Sequence, residues 1–226
     1  MNFATLMSIP LEEAPAAVVE APLQSILDLA MGGGWMMIPL ALCSIVALAY
    51  TVERSLRLRP GVLGPARFGR EVVSAVQDRG VPAALELCEG RRWPLARVLA
   101  AGLRRADQPF LHREKVVEDV ASAEIRALAS NLRPLYLVFL VAPLLGLLGT
   151  VWGMIESFSN IATEDGMGKP EQLAAGIYQA LTTTAAGLAV AIPSIVAYYW
   201  LRGRIEAFGR RVEQQYREVD DAVVRA

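Results

Sequence analysis

Basic residues are missing from the first 32 positions of this 226-residue chain, and Lys169 is the lone one between residues 162 and 172. The other 21 of its 22 lysines and arginines lie between Arg54 and Arg133 or from Arg202 onward. Histidine is nearly absent, with His112 alone, and neither of the two cysteines, Cys43 and Cys88, has a second plausible metal ligand nearby in sequence. That scarcity argues against a disulfide framework and a metal centre, and His112 reads as a solvated residue at a helix start. No nucleophile is paired with a base, and no glycine-rich phosphate loop precedes a helix. The pattern therefore gives an enzyme no support, and no cofactor is expected.

What the chain has in excess is apolar length. It is 54% hydrophobic with a mean hydropathy of +0.37, too apolar for an ordinary soluble domain, yet 20% of it is charged. Residues 29–52, 134–155 and 173–201 carry no charge, and a helix needs about 20 residues at 1.5 Å each to cross a hydrocarbon core. Three transmembrane helices are expected at 29–52, 134–161 and 173–201. Because basic residues mark the cytoplasmic side, 1–28 and the 162–172 loop are expected outside, with 53–133 and 202–226 in the cytoplasm. The fold class is thus an all-α integral membrane protein, N-terminus out and C-terminus in. The start has no basic n-region and its apolar stretch is too long for a signal peptide, so the first span reads as retained.

Pro10, Pro15 and Pro22 punctuate the acidic segment 1–28, whose amphipathic run over 22–29 could lie on the outer membrane surface. Breaks at Gly64-Pro65, Gly80, Pro82, Gly90, Pro94 and Pro109 divide the cytoplasmic segment into short helices near 66–79, 82–89 and 94–106. From Pro109 a helical pattern continues through Val117, Val120, Ala121 and Leu128 into the second span, kinked at Pro134 and Pro143. The third span likewise continues through Ile205, Phe208, Val212 and Tyr216. Each is about 50 residues and so about 75 to 80 Å long, reaching well beyond the bilayer. Short helices cannot cover both, so oligomerisation is expected.

Two spans carry the wrong residues for plain anchors. In the second, Gly149, Gly153 and Ser157 recur every four residues, with Gly146 before them and Thr150 alongside. In the third, Gly176, Ala180 and Thr184 form one row and Thr183, Gly187 and Ala191 the adjacent one. Small residues at this spacing allow close helix approach, and hydroxyls at bilayer depth serve either packing or an ion path. Serine and threonine do not titrate in the accessible range, so a proton path needs a carboxylate as well. Glu156 is the internal candidate. If Thr150 and Thr184 share a depth on antiparallel helices, Glu156 and Gln179 lie at similar levels outward of them. A partner's acid inserted into the pore is the other source.

These strings resemble the ExbB/TolQ/MotA proton-channel family, on its ExbB and TolQ side. The resemblance rests on Glu53-Arg54 at the end of the first span, Ala142-Pro143 followed by Gly146 to Gly149-Thr150-Val151-Trp152-Gly153, and Gly176 through Gln179-Ala180-Leu181 to Thr184-Ala185-Ala186-Gly187, then Ala191-Ile192-Pro193. Three spans rather than four separate it from flagellar MotA. The resemblance implies a bacterial inner-membrane homopentamer whose second and third helices enclose the single-span helices of an ExbD- or TolR-like dimer. Proton flow would then drive a TonB- or TolA-like protein. It assigns Thr150 and Thr184 to the pore, facing a partner aspartate, with Thr183, Glu156 and Gln179 as further ion-pathway candidates. Gly146, Gly149, Gly153, Ser157, Ala180, Gly187 and Ala191 would line the pore or touch the partner helix. At the Gln179 position the family usually has Glu, and Glu156 is the expected substitute. A non-conducting pentameric scaffold and a sodium-driven motor are the alternatives.

Overall fold

A computed structural model describes residues 33–163 and 170–225, with side chains at 33–159 and 173–225. The readings for 1–28 and most of the 162–172 loop lie outside the described residues. Among those described, every regular element is helical: α1 (Met37–Arg57), α2 (Pro60–Leu63), α3 (Phe68–Arg79), α4 (Val81–Glu89), α5 (Pro94–Leu103), α6 (Phe110–Ser130), α7 (Arg133–Thr163) and α8 (Pro170–Arg225).

Three helices are long and apolar enough to cross a membrane: α1, the α6 and α7 pair, and α8. Of their most apolar stretches only 11%, 28% and 33% respectively is buried within the chain. Leu42, Ile45, Leu48, Leu147, Leu181 and Ile192 all face outward. So much exposed aliphatic surface is tolerable only in lipid or against other helices, which makes this a multi-pass membrane protein.

Two helix boundaries depart from the sequence reading. The first helix starts at Met37, after a turn in which Gly34 takes the left-handed φ of +66° that a side chain disfavours. The expected continuous helix through 109–161 is interrupted at Asn131 and Leu132, between α6 and α7. Pro134 explains the break: it sits in the first turn of α7, where it has no N–H to donate to the Ser130 carbonyl oxygen and so cannot continue the ladder of α6. Pro143 and Pro193 stay inside α7 and α8. At 56 residues α8 is unbroken and about 84 Å long.

Beyond the apolar part, α3, α4 and α5 pack as a layer on α6 and the second half of α8. The short helices match expectation closely. Gly80, at φ +82°, closes α3 and lets α4 begin at the next residue, with Pro82 in its first turn. Phe68, Val72, Leu95, Val98, Leu99, Phe208, Val212 and Val219 form the core. Phe68 meets Trp93 edge to face at 5.2 Å. His112 is exposed in the first turn of α6.

Candidate functional site

Inside the apolar region α7 and α8 pack closely along their length, and small residues set that spacing. A methyl added at Gly146 would stand 3.0 Å from the Thr183 carbonyl oxygen and from Thr184 Cα. One at Gly149 would meet Thr183 Cβ at 2.8 Å, and one at Gly153 would meet Ala180 Cβ at 3.2 Å. From the other side, a methyl added at Gly187 would stand 2.6 Å from the Ala142 carbonyl oxygen, and one at Gly176 would run into Ser157. Both rows read from the sequence therefore meet each other within one chain. Ser157, Ala180, Thr183 and Ala191 are buried at this seam, Thr183 at 1% exposure.

The hydroxyls are anchored to backbone oxygens. Thr150 Oγ1 donates to Leu147 O at 2.6 Å, Ser157 Oγ to Gly153 O at 2.7 Å, and Thr183 Oγ1 to Ala180 O at 2.7 Å. Thr184 differs in crossing between helices, donating to Gly146 O at 3.1 Å. Each donor is thereby satisfied at a depth without water, while the oxygen keeps lone-pair capacity for another donor.

The helix pair has two unlike flanks. At about 100° per residue, Trp152 and Thr150 stand on opposite sides of the line through Gly146, Gly149 and Gly153. Gln179 and Thr184 do the same about Ala180, Thr183 and Gly187. On the first flank sits α1: Trp35 and Trp152 meet edge to face at 5.6 Å, and the Gln179 amide packs over Gly34. On the second flank Thr150 and Thr184 are half-buried among exposed Leu147, Leu181 and Leu188, and α1 does not cover them. The contacts of Gly149 with Thr183 and Gly153 with Ala180 put Thr150 one to two residues, about 2 Å, outward of Thr184. That register differs from the equal-depth supposition. It moves Glu156, which is exposed, two to three residues, about 4 Å, further out than Gln179.

A buried ionic cluster escaped the sequence reading. Arg113 Nη2 and Asp220 Oδ1 are 2.9 Å apart, with side chains only 8% and 9% exposed. Arg113 Nη1 also donates to Ala106 O and Gln108 O, and the Tyr216 hydroxyl donates to Asp220 Oδ1 at 3.4 Å. Burial first, and then the Asp220 charge, push the Tyr216 phenol up to about 12. The one available signal was the helical spacing of four between Tyr216 and Asp220, which says nothing of Arg113 more than a hundred residues earlier.

A three-span helical chain with a glycine-packed hairpin belongs to the class of multi-pass helical membrane proteins. The sequence profile of the MotA/TolQ/ExbB proton channel family matches residues 91–214, and the chain belongs to that family. An ExbB-like biopolymer transport protein of Synechocystis sp. is 33% identical over 219 residues, covering 92% of this chain and 86% of the relative. Biopolymer transport protein exbB1 of Vibrio cholerae is 31% identical over 176 residues, 76% of this chain and 77% of that protein. The Tol-Pal system protein TolQ of Pseudomonas aeruginosa is 37% identical over 110 residues, covering 46% and 47%.

Proposed function

We propose that the chain is the wall subunit of an inner-membrane, proton-driven motor, and that the uncovered flank of α7 and α8 faces an interior shared by several copies. The observation that carries this reading is the division of flanks: the turn leading into α1 covers Trp152 and Gln179, while Thr150 and Thr184 remain half-buried on the other side. In an oligomer that puts α1 toward lipid and the threonines inward. Five copies around a dimer of ExbD- or TolR-like single-span helices is the arrangement that the family resemblance implies, with a TonB- or TolA-like protein receiving the work. The charge distribution supports α2 to α6 and the end of α8 lying in the cytoplasm.

In this reading Thr150 and Thr184 are non-titrating oxygens beside a partner carboxylate that carries the proton. Gly146, Gly149, Gly153, Ser157, Ala180, Thr183, Gly187 and Ala191 hold the hairpin so that both threonines stay on the free flank. Glu156 supplies a carboxylate at the outer mouth, in place of the charge that Gln179 lacks. One proton moving through 100 mV releases about 2.3 kcal/mol, enough to bias two arrangements of the partner helix separated by that amount.

The test is proton flux in liposomes containing the chain and its partner. Thr150→Val and Thr184→Val each replace a hydroxyl by a methyl and should reduce flux strongly while assembly persists. Unchanged flux defeats the pathway. The interhelix bond from Thr184 to Gly146 favours one rival, a non-conducting scaffold, in which both variants alter stability only and the wild type conducts nothing. A sodium-driven motor would lose activity in sodium-free buffer. If Glu156→Gln leaves proton-driven function intact while the partner acid remains essential, the role given to Glu156 is wrong.

A further inference from the structure

The α3 to α5 layer covers one face of the α6 and α8 pair and leaves the opposite face open. That face holds a groove of ≈ 820 Å³ whose floor includes Val117, Ala121, Ile125 and Val212. Its lining carries five carboxylates, Glu114, Glu118, Glu213, Asp220 and Asp221, against one guanidinium, Arg217. Glu213 is paired with Arg217 at 2.6 Å and Asp220 with Arg113, which leaves Glu114, Glu118 and Asp221 without an ion pair among the described residues. Exposed Phe110 stands at the far end. From residue 110 to residue 125 the groove is about 22 Å long, the length of four helical turns.

The groove continues the uncovered flank of the membrane hairpin. Along the other flank of α8, Gln179 meets Gly34, Arg204 reaches the Ser55 carbonyl oxygen, and Gln215 packs on Gly69 and donates to Ala66 O. Thr184 lies on the side away from those contacts, and so do Gly209, Glu213 and Asp220. A helix crossing the membrane beside Thr184 therefore emerges above Gly209, about 10 Å past Arg202 along α8. At that point the cytoplasmic end of a membrane helix carries lysine and arginine, by the same bias that orients this chain.

We propose that the groove between α6 and α8 is the docking site for the basic, amphipathic cytoplasmic segment of the single-span partner, which rests on the partner helix lying against the uncovered flank. Its apolar side covers Val117, Ala121 and Ile125, and its cations meet Glu114, Glu118 and Asp221. The chain's own first 32 residues contain no Lys or Arg and do not fit. A docked segment of this kind couples the moving helix to the long lever of α8, beyond the bilayer.

The experiment places p-benzoylphenylalanine at Ser122 in the groove, and separately at Leu181 on the membrane flank, in cells making the full chain with its tagged single-span partner. Irradiation should join Ser122 to partner residues within about 20 positions of the cytoplasmic end of its span, a reach that an extended chain spans easily. Reversing Glu114, Glu118 and Asp221 to Lys should cut that adduct about tenfold, the expected scale for three exposed ion pairs. Reversing Glu71, Asp78 and Glu86 on α3 and α4 should leave it unchanged. Adducts from Leu181 but none from Ser122, or a Ser122 adduct to a second copy of this chain, overturn the docking site alone. Absence of partner adducts at both positions overturns the underlying reading as well.

Discussion

Replacing Asp220 by asparagine keeps the shape of the buried cluster and removes half of its charge. Arg113 would then hold a cation at 8% exposure facing only neutral acceptors: the Ala106 and Gln108 carbonyl oxygens at 2.9 and 3.2 Å, the Tyr216 hydroxyl and the new amide oxygen. Its Nε is already buried without an acceptor, so no reserve partner exists on that edge. Breaking a buried pair from one side costs about 3 to 5 kcal/mol. The two carbonyls place this case near the lower end, about 3 kcal/mol. For a chain of this size that corresponds to a fall in Tm of about 6 to 12 °C. Tryptophan fluorescence of the detergent-solubilised protein during heating reads the change. Removing both charges with Arg113→Met and Asp220→Leu should recover most of the loss, because an apolar pair leaves no stranded ion. A single variant within about 0.5 kcal/mol of wild type, or a double variant no better than the single, refutes the reasoning.

Other consequences are as specific. Gly149→Ala pushes a methyl into Thr183 and should destabilise the protein by about 1 to 3 kcal/mol, whereas Gly203→Ala, with nothing within 4 Å, should stabilise it by up to about 1 kcal/mol. Both are checked by the same thermal scan. A double-mutant cycle on Trp35 and Trp152 should return a coupling of about 0.5 to 1.5 kcal/mol, and no coupling would detach α1 from its assigned flank. The Cys88 thiol, pushed up to about 12 by burial and then by Glu89, should resist iodoacetamide at pH 8 until the protein unfolds, as followed by mass spectrometry. Tyr216 ionises near 10 when unfolded and about 12 when folded, so its contribution is complete below pH 10 and disappears as pH rises to 12. Asp220→Asn, by removing the charge that raises it, should move that alkaline loss to lower pH, in a spectrophotometric tyrosinate titration.

The spans and the short helices were legible because apolar length and proline and glycine punctuation are local signals. Gly80 and Pro82 end one helix and start the next whatever surrounds them. The glycine rows were legible as close-contact surfaces, since spacing of four identifies a face. Their partner was not, because periodicity cannot say whether Gly149 meets Thr183 of its own chain or a helix from another. Only the contact between them fixed the register, and with it the offset of Thr150 from Thr184 and of Glu156 from Gln179. Leu132 between α6 and α7 shows the limit of that punctuation. Pro134 was legible as a kink, but not that the helix would break at Asn131 and Leu132, ahead of it. Arg113 and Asp220 were invisible for a different reason: their pairing depends on how α6 and α8 lie together, which no local pattern encodes.

The claim on which the account depends is that one flank of the α7 and α8 hairpin faces a shared interior while α1 faces lipid. Spin labels at Leu181 and at Leu42, in a background lacking Cys43 and Cys88, test it in the assembled complex by collision with oxygen dissolved in the bilayer. Leu42 should be highly accessible and Leu181 shielded. Equal, lipid-like accessibility at both positions would contradict the account.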